Sequence, residues 1–218
     1  KGKGAGFLAF PEELDRFLEQ IFAHAPCRIS IKTRLGIHDP DEFGPILEIY
    51  NRYPLSELII HPRVQKEFYK GSVHLDAFAA ALEGCRCPVR YNGDLLTMAD
   101  CQALEARFPQ VERIMLGRGL AADPALVRKL QGGAAADRET LERFVDTLFV
   151  RYQESYGNVE NALQRMKELW YYLIHLFDGG ERLGMKLRRT KGMADYQELT
   201  ARVFRELPLR QEAFGPFQ

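Results

Sequence analysis

The chain has 218 residues, of which 46% are hydrophobic, and its 30 Lys and Arg are balanced by 30 Asp and Glu. This size and apolar content are sufficient for one or two domains with hydrophobic cores and argue against disorder over most of the chain. The neutral balance excludes a generally basic module, so any nucleic-acid contact must be local. No apolar run approaches the roughly 18 residues of a membrane span and no signal peptide is present, which predicts a cytoplasmic protein with no membrane partner.

Residues 1–136 alternate helical patterns with short β-branched runs that begin about 28 residues apart. Such alternation implies right-handed βαβ units and a parallel sheet, and therefore an α/β domain. The predicted elements in chain order are a helix over 11–25, a strand over 29–32, a helix over 41–52, a strand over 58–61, a helix over 75–82, a strand over 88–91, a helix over 97–108, a strand over 113–116 and a helix over 123–130.

The pattern changes after Gly132-Gly133, because no β-branched run follows and long amphipathic stretches take over. Four helices are predicted, over 138–156, 159–177, 181–189 and 194–207. Joined by short connections, they suit a small all-α helical bundle. We therefore predict two domains, residues 1–136 and residues 137–218.

Four cysteines are too few for a disulfide scaffold and are expected to be reduced: Cys27, Cys85, Cys87 and Cys101. The spacing in Cys85-Arg86-Cys87 is compatible with one pair of metal ligands. No second Cys or His pair completes a tetrahedral site, so we predict small core or loop thiols and no metal.

Polar or glycine-rich residues follow all four predicted strands, where the ligands of parallel α/β folds bind. Lys32 lies in an apolar run. Its ammonium therefore either has an anionic or carbonyl partner that offsets desolvation or extends to solvent at the rim of the sheet. His61 is either a ligand contact or a satisfied core histidine. Gly117 and Arg118 suit a phosphate. The remaining strand-end residues are Arg34 after the first strand, Arg63 after the second, and Asn92-Gly93-Asp94 after the third, a sequence that also suits an ordinary turn.

This ordered set resembles the tRNA-dihydrouridine synthase family of flavin-dependent barrels. The resemblance extends over nearly the whole chain, including the helical region around Arg165 to Phe177. The matching barrel stretches are IKTRLG (31–36), LIIHPR (58–63) with Tyr69-Lys70-Gly71, PVRYNGD (88–94) and IMLGRGLAADP (114–124). The resemblance implies a TIM barrel of (β/α)8 type. This chain would contain only the last four β/α units of that barrel, followed by the helical domain.

The resemblance also implies a flavin site and a reaction. Lys32 and His61 would contact the ring of FMN, Asn92, Gly93 and Asp94 its ribityl-phosphate side, and Gly117 and Arg118 its phosphate. Family members use NADPH to reduce FMN and reduce the C5–C6 bond of uridine in tRNA. The target base must leave the stack to reach the flavin.

The sequence departs from the family in one respect that bears on catalysis. The proton-donating cysteine belongs to an Asn-x-Gly-Cys-Pro motif that would lie before Lys1, and the sequence contains no such motif. The family's first four strands are absent as well. We therefore expect no catalytic residue in this chain, an inactive fragment when alone, and closure of the sheet by an N-terminal half-barrel or a second copy.

Residues that face RNA are predicted in both regions. In the helical region, the basic residues Lys186, Arg188, Arg189 and Lys191 suit either a solvated face or a tRNA contact, and the resemblance favours tRNA. Arg34 and Arg63 would face the uracil or the RNA backbone. The alternatives are a different FMN-binding barrel oxidoreductase that acts on a small metabolite, or a non-catalytic tRNA-binding remnant.

Overall fold

A computed structural model describes residues 2–213. The chain divides into two compact units, residues 2–94 with 104–116 and residues 95–103 with 117–213. The predicted domain boundary after Ala136 stays a prediction. Among the described residues, no helix combines the length and the apolar character needed to cross a membrane.

The first unit is built on a four-stranded sheet whose strands are all parallel. They are β1 (Ser30–Gly36), β2 (Glu57–Val64), β3 (Val89–Asn92) and β4 (Ile114–Met115), in the spatial order β1-β2-β3-β4. All four predicted strands and the predicted α/β class are confirmed. Because all four strands are parallel, their carboxyl ends lie together at one edge of the sheet.

Three helices pack in the first unit: α1 (Pro11–His24), α2 (Phe43–Tyr50) and α3 (Leu75–Gly84). Pro11 begins α1, where its missing N–H costs nothing. Phe78 of α3 is fully buried, and its ring meets that of Tyr91 edge-on, with 5.0 Å between the centroids. This contact fixes α3 against the middle of the sheet. A further helix, α4 (Met98–Arg107), has residues in both units.

The second unit is helical. Its helices are α5 (Arg118–Ala122), α6 (Leu126–Leu130), α7 (Arg138–Tyr156), α8 (Val159–Leu173), α9 (Glu181–Arg189) and α10 (Met193–Glu206). The four helices predicted after Gly133 are confirmed, although the second ends at Leu173 and a 3₁₀ turn (Ile174–Leu176) follows.

The helix predicted over 123–130 is confirmed only in its second half, and a short helix that was not predicted precedes it. Arg118 and Gly119 already belong to α5, and α6 begins only at Leu126. The interruption arises at Asp123, which precedes a proline and is extended, with ψ at 93°. Its carboxylate accepts the N–H of Ala125 at 3.0 Å, which forms an Asx-type turn just before the second of the two short helices.

The core of the second unit centres on Trp170, which is fully buried. Its indole N–H donates to the hydroxyl of Tyr196 at 3.1 Å, so the polar atom of this large side chain is satisfied inside the core. Asp137 and Asn158 cap α7 and α8 by accepting backbone N–H groups of Thr140 and Asn161.

Candidate functional site

The carboxyl edge of the sheet brings together side chains from three strands. Arg34 of β1 is directly paired in register with His61 of β2. Asn92 ends β3, and its side-chain amide donates to the carbonyl of Met115 in β4 at 2.7 Å. The predicted strand-end residues of the first unit therefore share one edge, as the parallel topology requires.

His61 is the most unusual group at this edge. Its side chain is only 4% exposed, and its Nε2 has no hydrogen-bond partner within the described part of the chain. Burial, together with the positive charges of Arg34, Lys32 and Arg63, lowers the pKa of His61 to about 4. The imidazole is therefore neutral near pH 7. A buried polar atom left unsatisfied costs about 1–3 kcal/mol, which points to a ligand at this position.

The two cations of β1 are placed differently. Lys32 is exposed, and partial burial followed by the neighbouring charge of Arg34 lowers its pKa. Arg34 donates to the carbonyls of Val64 at 2.8 Å and Phe68 at 2.7 Å. Arg34 thus holds the segment that follows β2, while the side chain of Lys32 stays exposed, and its predicted flavin contact stays a prediction.

Tyr69 belongs to this edge, and the sequence reading assigned it no function. Its ring lies 5.5 Å from the guanidinium carbon of Arg34 and 6.0 Å, between centroids, from the ring of His61. Its neighbour Phe68 is 67% exposed and has a positive φ of 52°. Tyr69-Lys70-Gly71 was part of the family resemblance, but a tyrosine that follows a strand end by several residues gives no signal of where its ring will lie.

Arg63 has a structural partner that the sequence did not reveal. Its side chain is 1% exposed and makes two hydrogen bonds to the carboxylate of Asp94, at 2.7 and 2.6 Å. It also donates to the carbonyl of Gly71. Arg63 therefore ties the segment after β2 to the segment after β3. Its predicted contact with uracil or RNA stays a prediction, and its burial does not favour one.

Gly93 fits closely against His61. A Cβ at this position would lie 3.2 Å from the imidazole Cδ2 and 3.3 Å from Cγ1 of Val73, and the φ of Gly93 is +156°. A side chain here would press on His61 and strain the backbone. The glycine of Asn92-Gly93-Asp94 therefore serves the packing of the edge as well as a turn.

Gly117 and Arg118, predicted to bind phosphate, lie in the second unit. Gly117 precedes α5, and a Cβ added to it would meet nothing within 4 Å. Gly119, by contrast, packs closely on the carbonyl oxygen of Leu95, where no side chain would fit. The predicted phosphate contact stays a prediction.

The basic residues predicted to contact tRNA are exposed. Lys186, Arg188 and Arg189 form the last turn of α9, and Lys191 follows the helix. The guanidinium of Arg188 lies 5.2 Å from the centre of the Tyr171 ring. Trp170, next to Tyr171, is fully buried in the core of the second unit.

The four cysteines lie away from the carboxyl edge of the sheet. Cys27, Cys85 and Cys87 precede strands, and Cys101 is buried in α4. Within residues 2–213, no three His, Cys, Asp or Glu side chains come together as a potential metal site.

The first unit is thus an α/β unit with a buried, neutral and unsatisfied histidine at the carboxyl edge of its parallel sheet, the position where ligands bind in such folds. The family model for dihydrouridine synthases matches residues 1–203. The chain therefore belongs to the dihydrouridine synthase family.

Similar proteins extend beyond the region that this chain matches. A tRNA-dihydrouridine(16) synthase from Ralstonia nicotianae is 29% identical over 198 residues, which are 84% of this chain and 60% of that protein. A tRNA-dihydrouridine(16) synthase from Cupriavidus necator is 28% identical over 78% of this chain and 56% of its own length. A probable tRNA-dihydrouridine synthase from Staphylococcus epidermidis is 27% identical over 91% and 61%. The chain thus spans about three fifths of the length of these curated relatives.

Proposed function

We propose that this chain supplies part of a cytoplasmic, FMN-dependent tRNA-dihydrouridine synthase, which reduces the C5–C6 bond of uridine in tRNA. The chain would form the last four β/α units of a TIM barrel and a helical tRNA-binding domain. The observation that carries the proposal is the buried Nε2 of His61, unsatisfied in the described residues, at the carboxyl edge of a sheet within the family match.

The residues at this edge fit a flavin. Lys32 and the unsatisfied nitrogen of His61 would hold the ring, and Asn92 and Gly93 would line its ribityl side. Gly117 and Arg118 would hold the phosphate. Asp94, already bonded to Arg63, would support this wall rather than bind by itself. FMN, when bound and reduced at the expense of NADPH, supplies the hydride for the uracil ring.

The charges suit this assignment. Because the pKa of His61 is lowered to about 4, its neutral imidazole would hydrogen-bond to the flavin without adding positive charge beside Lys32 and Arg34. The ammonium of Lys32 would then be the cation beside the electron-rich edge of a reduced flavin. Arg34 and Tyr69 would border the flavin site on the side where an extruded uracil would approach.

The proton for C5 of uracil would come from outside this chain. The family's cysteine belongs to a segment that would precede Lys1, so the chain alone is expected to bind FMN weakly and to reduce no uridine. Within the described residues, β1 and β4 each have only one neighbouring strand. An N-terminal half-barrel, or a second copy, would add strands beside β1 and β4 and so close the sheet.

A fusion tests the proposal directly. The part of the Ralstonia nicotianae relative that precedes its match would be joined to this chain, and tRNA treated with the yellow fusion and NADPH would be digested and analysed by mass spectrometry. The expected product is dihydrouridine, lost in His61→Ala and retained in the exposed control His24→Ala. Flavin binding without dihydrouridine would favour an oxidoreductase that acts on a small metabolite. Binding of tRNA without flavin would favour a non-catalytic remnant.

A further inference from the structure

Cys85 and Cys87 lie at the opposite end of β3 from the candidate site, in the connection that joins α3 to β3. Their sulfur atoms are 3.5 Å apart, and both side chains are partly exposed. By contrast, Cys27 is exposed and Cys101 is buried. Cys85 and Cys87 are thus the pair of thiols that the fold holds in contact and leaves accessible.

The side chain of Asn51 hydrogen-bonds to the backbone on both sides of Cys85. Its side-chain N–H donates to the carbonyl of Gly84 at 2.9 Å, and its carbonyl oxygen accepts the N–H of Arg86 at 2.9 Å. The N–H of Cys85 donates to the carbonyl of Ala81 and so ends α3. With the connection fixed in this way, rotation about the side-chain bonds is what would bring the sulfur atoms to bonding distance.

The contact between the two sulfur atoms places each of them to attack a disulfide that forms on the other. Burial, and then the hydrogen bond with Cys85, raises the pKa of Cys87 to about 12. Cys87 therefore keeps its proton in the reduced pair, and we assign the first attack to Cys85. Once Cys85 is held in a mixed disulfide, its hydrogen bond and charge no longer raise the pKa of Cys87, which frees Cys87 for the closing step. Such a division between an attacking and a resolving thiol follows from their contact.

We infer that Cys85 and Cys87 form a reversible dithiol–disulfide site that reacts with small-molecule disulfides. The thiolate of Cys85 attacks one sulfur of the small disulfide, whose S–S bond breaks and releases one thiolate. Cys87 then loses its proton to solvent and attacks the sulfur of Cys85, which forms the Cys85–Cys87 bond and releases the second thiolate. Two cysteine thiols are oxidised and one small disulfide is reduced to two thiols.

Peptide mapping of the full chain tests this inference, because Arg86 separates the two cysteines. The folded chain would be incubated with oxidised glutathione, quenched with acid, alkylated and digested with trypsin. Cleavage after Arg86 leaves Cys85 in peptide 71–86 and Cys87 in peptide 87–90. The expected product is these two peptides joined by a bond that dithiothreitol breaks. Intramolecular closure should leave less than about a tenth of Cys85 as a glutathione adduct.

Internal and variant controls sharpen the result. Cys27, exposed and alone, should give a lasting glutathione adduct, and Cys27→Ser should leave the linked pair unchanged. Cys87→Ser should convert Cys85 to the adduct, because no neighbouring thiol resolves it.

Three results would overturn the inference: absence of the linked peptides, lasting adducts on both Cys85 and Cys87, or linkage of either one to Cys101 instead. An equal yield of linked peptides in urea would also contradict it, since the folded connection should favour closure several-fold.

Discussion

Each unit of the molecule buries a cation against an aspartate and a backbone carbonyl, but the surroundings differ. In the second unit, Lys129 contacts Asp123 at 2.5 Å and donates to the carbonyl of Gln211, and both charged side chains are almost fully buried. In the first unit, Arg63 is as deeply buried, while its partner Asp94 keeps 34% of its side chain exposed. The Lys129 pair is sealed in a packed interior, whereas the Arg63 pair borders an open edge that is suited to a ligand.

The largest effect is expected from Lys129→Met. It leaves the carboxylate of Asp123 buried without a counter-charge, which should lower the free energy of unfolding by about 3–5 kcal/mol. Urea denaturation followed by circular dichroism measures this loss. Adding Asp123→Asn to Lys129→Met removes the stranded charge and should restore more than about 1 kcal/mol. A loss below about 1 kcal/mol in Lys129→Met would show that water reaches the pair of Lys129 and Asp123.

A smaller loss of stability is expected from Arg63→Met. Water can reach the carboxylate of Asp94, so the loss should be about 1–3 kcal/mol. Arg63→Lys keeps the charge but not the two parallel hydrogen bonds, and should recover less than half of the loss. The same urea titration applies. A greater loss in Arg63→Met than in Lys129→Met would reverse the comparison between the two units.

The pH dependence of stability should reveal His61. Its pKa falls from 6.5 in the unfolded chain to about 4 in the folded one, so the unfolded chain binds the extra proton between these values. The contribution of His61 is complete above pH 6.5 and is lost as the pH falls toward 4, by roughly 1–2 kcal/mol. His61→Gln should flatten this part of the profile, and the exposed control His24→Gln should not. Identical profiles for the wild type and His61→Gln would contradict a buried neutral histidine.

The smallest energetic effect is expected on the exposed basic face of the second unit. The double variant Arg188→Glu, Arg189→Glu should weaken tRNA binding and reduce the slope of log affinity against log salt by roughly 1–2. Fluorescence anisotropy at several salt concentrations measures both. A matched double variant on α7, Arg143→Glu with Arg151→Glu, has the same charge change and should affect the slope less. Equal slopes in the two variants would indicate no local tRNA contact at α9.

Local patterns were sufficient to predict the strands and most helices. Alternation and β-branched runs marked β1 to β4, and long amphipathic stretches marked the helices that follow Gly133. The start of α5 at Arg118 was missed because Gly117-Arg118-Gly119 has turn chemistry, and five helical residues show no periodicity.

The candidate site was predicted in outline but not in its internal pairing. Parallel topology alone brings the strand ends together, so His61 and Asn92 could be placed at one edge. The bond between Arg63 and Asp94 joins residues 31 positions apart, and it depends on the backbone of Asp94, which has a φ of 45°. Such pairings arise from tertiary packing, and a single sequence contains no trace of them.

Titration of FMN with the chain tests the central claim most directly, since that claim assigns the unsatisfied nitrogen of His61 to a flavin. Quenching of flavin fluorescence should saturate with weak affinity, at a dissociation constant of roughly 10–100 μM. His61→Leu should raise this constant at least about fivefold, a loss of about 1 kcal/mol, while His24→Leu leaves it unchanged. Equal binding by the wild type and His61→Leu, or no quenching at all, would contradict the account.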